Sequence, residues 1–86
     1  MDKLKVLSIN KQPSKYGGEF YYIFFKNIDT GSSLKTCVAD SYRNYKNWKN
    51  IIEKFNNNEE VIITNVRINT SLVDADSLPE IVEVSA

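Results

Sequence analysis

Histidine is absent from this chain of 86 residues, and cysteine occurs once. Without imidazole, the usual general base and the commonest metal ligand are both missing. Cys37 by itself can build neither an internal disulfide nor a thiolate zinc site, and as a nucleophile it has no imidazole partner. Its place in the middle of a predicted strand suits a small packing residue. No apolar run approaches the roughly 20 residues that span a bilayer. With no secretory signal read at the N-terminus, the lone cysteine predicts a reducing, cytoplasmic setting and no membrane association. Only three glycines are present, and the pair Gly17-Gly18 is not followed by the Lys-Ser or Lys-Thr of a phosphate-binding loop. Asp74 and Asp76 lie two apart without the glycine and distal glutamate of a calcium loop. The expectation is a protein with no metal, no cofactor and no enzymatic activity.

Aromatic side chains, in contrast, make up 12% of the chain. Each large ring buries roughly 150–250 Å², so a single domain covering residues 1–86 can form a core without a staple. Charge is balanced overall but unevenly placed. Residues 1–55 hold ten Lys or Arg against five Asp or Glu, a net of +5, and residues 56–86 hold only Arg67 against six acids, a net of −5. A pI near 6.2 argues against a strongly basic duplex binder. It leaves room for a groove with a few placed cations, or for a polarised surface that pairs with another protein.

Leu4 to Asn10 reads as a strand with a change of phase, Leu4 and Val6 on one face and Leu7 and Ile9 on the other, as in a bulged or sharply coiled strand. Lys11 to Gly18 reads as a turn. Glu19 to Asn27, with Phe20-Tyr21-Tyr22-Ile23-Phe24-Phe25 at its centre, has the composition of a strand. A loop around Gly31 joins it to a third strand, Leu34 to Ala39, so residues 19–39 form a hairpin. The periodicity then changes. Tyr45, Trp48, Ile52 and Phe55, with Ile51 beside them, fall on one face of a helix predicted from about Ser41 to Phe55. Asp40 or Ser41 is placed to cap it, and Asn56-Asn57-Asn58 to end it. Val61 to Asn69 reads as a fourth strand, again with a phase change, Thr70 to Glu80 as a polar loop, and Ile81 to Val84 as a last strand.

The predicted order is β-β-β-α-β-β, an all-β class with one helix, and it fits a five-stranded OB-fold barrel. The competing fold is a five-stranded antiparallel sheet with one helix on a face; two phase-switching strands favour closure.

Alternate side chains of a strand face opposite ways, so Phe20, Tyr22, Phe24 and Lys26 share one face and Tyr21, Ile23 and Phe25 the other. Ile has no use in stacking, which assigns Tyr21, Ile23 and Phe25 to the core and turns the other row outward. Leu34, Thr36 and Val38 are read as inward, with Lys35 and Cys37 outward. Arg67, between the core candidates Val66 and Ile68, also points out, and Tyr16 sits in the first loop. Rings flanked by cations, here Tyr16, Phe20, Tyr22, Phe24, Lys26, Lys35 and Arg67, are the pattern of a single-strand binding groove, in which each stacked base contributes roughly 1–3 kcal/mol. Helical spacing alone explains Tyr45 and Trp48 as core, and Arg43, Lys46 and Lys49 read as a solvated helix face.

The segments Lys15-Tyr16-Gly17, Phe20-Tyr21-Tyr22-Ile23, Asp29-x-Gly31 and Lys35-Thr36, followed by the aromatic helix through Trp48, resemble the small OB-fold single-stranded DNA-binding proteins of phages and mobile elements in low-GC bacteria. The resemblance covers about residues 3–69. It implies binding of single-stranded DNA on strands two and three during replication or recombination, and self-association. A homodimer would pair the basic first half of one copy with the acidic second half of another. Many bacterial relatives carry an acidic tail ending in Phe that recruits replication proteins. This sequence ends in Val84-Ser85-Ala86 directly after the fifth predicted strand, so recruitment through such a tail is not expected. The alternative function is an accessory OB subunit that docks on a polymerase, primase or helicase and binds little DNA itself.

Overall fold

The computed structural model describes residues 3–82. Among them, one sheet holds seven strands: β1 (Leu4–Pro13), β2 (Glu19–Asn27), β3 (Ser33–Ala39), β4 (Ile62–Thr64), β5 (Ile68–Asn69), β6 (Leu72–Val73) and β7 (Glu80–Val82). A single helix, α1 (Tyr45–Asn56), lies between β3 and β4. The spatial order is β5-β6-β3-β2-β1-β4-β7, and every pairing is antiparallel except β3 with β6. The protein is therefore mostly β, a curled mixed sheet with one helix. It has seven strands where five were expected.

The two extra strands come from the second half of the chain. Asn65 adopts φ +65°, which interrupts the predicted strand Val61–Asn69 and leaves β4 and β5 as separate short pieces. Thr70, at φ +59°, then turns the chain back, and the predicted polar loop supplies β6. Leu72 lies beside Lys35 of β3 in parallel register, and the Lys35 amide donates to the Ser71 carbonyl at 3.1 Å. The predicted end of the last strand, at Val84, lies outside the described residues.

β2 and β3 form where their composition places them, but β1 runs on to Pro13, past its predicted end at Asn10, because Lys11, Gln12 and Pro13 of the predicted turn pair with Tyr21, Phe20 and Glu19. β1 and β2 pair along their whole lengths, with one irregularity between Val6 and Ser8. Leu7 is the extra residue of this bulge and stands half exposed. Ile9 is thereby returned to the side of Leu4 and Val6 and packs against the core, instead of sharing a face with Leu7 as the sequence suggested. The β2–β3 loop is held by Asn27, whose buried Oδ1 accepts from the amides of Asp29 at 2.9 Å and Thr30 at 3.2 Å. Asn, with a short carboxamide that mimics a turn, is suited to that position.

The helix begins at Tyr45, four residues later than the predicted Ser41, and its N-cap Asn44 makes no capping hydrogen bond through its side chain. Asp40 does not cap it either. Its carboxylate accepts from the Glu19 amide at 3.1 Å and so ties the start of β2 to the end of β3. Residues 40–44 run instead as two consecutive turns, Tyr42 N–H to the Ala39 carbonyl and Tyr45 N–H to that of Tyr42. At the other end Asn58 takes φ +64°, and the Asn run terminates the helix as expected.

Trp48, Ile51 and Ile52 are the buried residues of α1. They meet Leu4 and Val6 of β1, Ile23 and Phe25 of β2, Leu34 and Val38 of β3, and Val61, Ile63 and Val73 in one core cluster. Trp48 is fully buried, its ring centroid 6.2 Å from that of Phe25. Its indole N–H donates to the Ala75 carbonyl at 2.8 Å, which fastens the segment after β6 over the helix. No helix among the described residues is long and apolar enough to cross a membrane.

Candidate nucleic-acid interface

β2 is flanked on both sides, by β1 and β3, so its two rows of side chains are forced onto the two faces of the sheet. Ile23 and Phe25 are buried; Tyr21 is half-buried, its ring 5.7 Å from that of Tyr45 on the helix. This is the inward row. Burial and the hydrogen bond with Tyr21 raise the Tyr45 hydroxyl above its ordinary pKa. On the outward row, Tyr22 and Phe24 each keep 37% of their surface exposed, Phe20 is half-buried, and Lys26 is exposed. On β3, Leu34, Thr36 and Val38 point in and Lys35 and Cys37 point out.

The neighbours of the outward rings decide what this row can do. Phe20 lies between Gln12 of β1 and Ala39 of β3, Tyr22 between Asn10 and Cys37, and Phe24 between Ser8 and Lys35. No second aromatic or branched aliphatic stands directly across from any of the three. Cross-strand packing of rings on rings, the usual structural reason for an aromatic row, is therefore not available to them. The three rings instead open onto three shallow concavities. The largest, about 660 Å³, lies at the loop end and is lined by Asn10, Gln12, Lys15, Tyr16, Phe20 and Tyr22. A second, about 290 Å³, runs from Tyr22 past Cys37 and Lys35 to Leu72, and a third, about 230 Å³, joins Phe24 to Lys35.

Tyr16 stands at the tip of the loop between β1 and β2, 86% exposed, with the Lys15 ammonium 5.3 Å from its ring centroid. The loop closes on itself through Ser14 N–H to the Gly18 carbonyl at 3.0 Å and Gly17 N–H to the Ser14 carbonyl at 3.1 Å. No family model, curated protein or solved structure matches the chain. The geometry of the face alone bears on what this protein does.

Among the residues singled out by the sequence, Tyr16, Phe20, Tyr22, Phe24, Lys26 and Lys35 share this one face. Within the described residues neither Lys26 nor Lys35 enters an ion pair. Arg67 is elsewhere. Its guanidinium lies 2.9 Å from the Asp74 carboxylate, its own amide donates to Ser77 Oγ, and it borders a separate hollow with Asn65 and Leu78. It is exposed, as the sequence suggested, but its charge is compensated and it stands apart from the rings. The same pairing occupies Asp74, which also accepts from the Asp76 amide. Among the described residues no three His, Cys, Asp or Glu side chains group as metal ligands.

Asn10 and Gln12 belong to the face but were not found by reading the sequence. For Asn10 the signal was the phase change in Leu4–Ile9, since one bulge residue at Leu7 puts Ser8 and Asn10 on the outward side; Gln12 follows them outward but fell in the segment read as a turn. Leu72 was missed because it fell in a segment read as loop.

Proposed function

We propose that the outer face of β1, β2 and β3 binds single-stranded DNA by stacking bases on Phe20, Tyr22 and Phe24, and that the protein serves replication or recombination of a phage or mobile element without catalysing a reaction. The observation that carries this reading is the outward row of three rings, Tyr22 and Phe24 exposed and Phe20 half-buried, with small or polar residues on both sides. Rings left open to water are costly unless a partner covers them, and bases cover them whatever their identity. Lys26 and Lys35 at one end, and Lys15 at the other, supply cations for the backbone.

The connectivity supports a partly open OB-type barrel. A three-stranded meander leads to a helix; the chain then returns to pair antiparallel with β1 and, through β6, parallel with β3. In such barrels the face of strands two and three, with the loops on either side, is where oligonucleotides lie. Here that face is bordered by the loop 14–18 and by the segment between β4 and β7.

The test is titration of a labelled oligo-dT with the protein by fluorescence polarisation, at two salt concentrations. Tyr22→Ala should weaken binding by about 1–3 kcal/mol and leave the fold intact. Normal binding by that variant rejects the stacking face. The second reading, an accessory subunit that docks on a polymerase, primase or helicase, draws on Leu72, half exposed beside Lys35, which extends the ring row into an apolar patch. No binding of oligo-dT at low salt would favour it.

A further inference from the structure

Resting on the single-strand reading above, we propose that the concavity beside the loop 14–18 is a base-selective pocket in which Gln12 reads the edge of an adenine. A surface that binds only by stacking has no need of carboxamides. Two stand here, side by side on β1, directly across from the two rings nearest the loop: Gln12 opposite Phe20 and Asn10 opposite Tyr22. Neighbouring strands lie about 4.8 Å apart, so a base laid on either ring projects its edge over these two side chains.

The amides are coupled. Gln12 Nε2 donates to Asn10 Oδ1 at 3.3 Å. With that bond made, Gln12 Oε1 and the second Nε2 hydrogen present one acceptor and one donor next to each other. Such an amide pairs with adenine through N6–H and N7. On that N7 edge guanine shows two acceptors, cytosine one donor, and thymine one acceptor and a methyl group, so adenine alone offers the matching pair there. Reading is therefore on the N7 edge, since on the Watson–Crick edge, free in a single strand, every base sets a donor beside an acceptor and Gln12 would not select. Tyr16, free in solvent at the tip of the loop, is placed to cover the base from the other side. Asn10 is a positioning residue for Gln12, and Lys15 stands at the rim where a phosphate would follow.

The experiment uses the whole protein and an eight-nucleotide labelled oligo-dT host with one central residue replaced in turn by A, C, G, 7-deazaadenine or hypoxanthine. Adenine should tighten binding about fivefold or more over the host. 7-Deazaadenine, which lacks the N7 acceptor, and hypoxanthine, which lacks the N6 donor, should return to the affinity of the host. Gln12→Ala should erase the preference while the oligo-dT host still binds, and Asn10→Ala should reduce it in the same way; Trp48 fluorescence checks that both remain folded. Equal affinity for all four bases, a preference for another base, or a preference that survives Gln12→Ala overturns the pocket and leaves the stacking face standing. Failure of every strand to bind overturns both.

Discussion

Gly18 and Gly17 are adjacent in one loop, both at positive φ, yet alanine should be tolerated very differently at the two positions. At Gly17 (φ +94°) an added Cβ meets nothing within 4 Å. The cost is then that of holding an L-residue in the left-handed region, roughly 1–2 kcal/mol. Gly18 (φ +75°) carries the same backbone cost, but its added Cβ would overlap the Asp40 carboxylate oxygen. That oxygen is the acceptor for the Glu19 amide. The carboxylate must swing away, and a hydrogen bond to a charged group contributes about 1.5–3 kcal/mol; the half-buried setting, where water can partly replace it, favours the lower figure. Gly18→Ala should therefore cost about 3 kcal/mol, about 1.5 more than Gly17→Ala. For a domain of this size that difference is roughly 6–12 °C in Tm. Urea and thermal unfolding followed by Trp48 fluorescence measure it. Asp40→Ala supplies the control, since Gly18→Ala should add only its backbone cost in that background. Equal destabilisation by Gly17→Ala and Gly18→Ala would refute the role given to Asp40.

The salt dependence of oligo-dT binding should separate the cations: Lys26→Ala and Lys35→Ala should each flatten the slope of log affinity against log salt by about 0.7, and Arg67→Ala, already paired with Asp74, should leave it unchanged. Trp48→Phe removes the donor that satisfies the Ala75 carbonyl and part of a fully buried ring, and should cost about 2–3 kcal/mol in urea denaturation followed by circular dichroism. Tyr45, raised in the folded protein by burial and by Tyr21, ionises first in the unfolded chain, whose value is near 10.0. Its contribution to stability is thus complete below pH 10 and lost as pH rises through the higher folded value, so Tyr45→Phe should flatten the alkaline limb of a plot of stability against pH. An unchanged limb would mean that neither burial nor Tyr21 raises the Tyr45 hydroxyl in solution.

That β2 carries two opposed rows was legible because alternation along a strand is set by the backbone. Ile23 favoured Tyr21-Ile23-Phe25 as the inward row, but packing of Ile23 and Phe25 into the core with the helix decided which row faces outward. The helix was legible too, since Trp48, Ile51 and Ile52 fall on one face at helical spacing. Its start was not. Asp40 is an apt cap residue, but the Glu19 amide, 21 positions earlier in the chain, reaches its carboxylate first.

Composition and periodicity by themselves determined the mostly β class, the hairpin of residues 19–39, the helix after it, and the grouping of Phe20, Tyr22 and Phe24 on one face of their strand. Each of these follows from propensities and side-chain directions that act within a few residues. Tertiary structure decided the rest. A bulge at Leu7 brought Asn10 and Gln12 beside the rings, positive φ at Asn65 and Thr70 divided one expected strand and created another, and pairing with β3 drew Leu72 to the edge of the face. Asp74 neutralised Arg67 and removed it from the candidate site. In each case the outcome depends on which distant group satisfies a backbone amide, a carbonyl or a charge, and that competition is settled only when the segments meet.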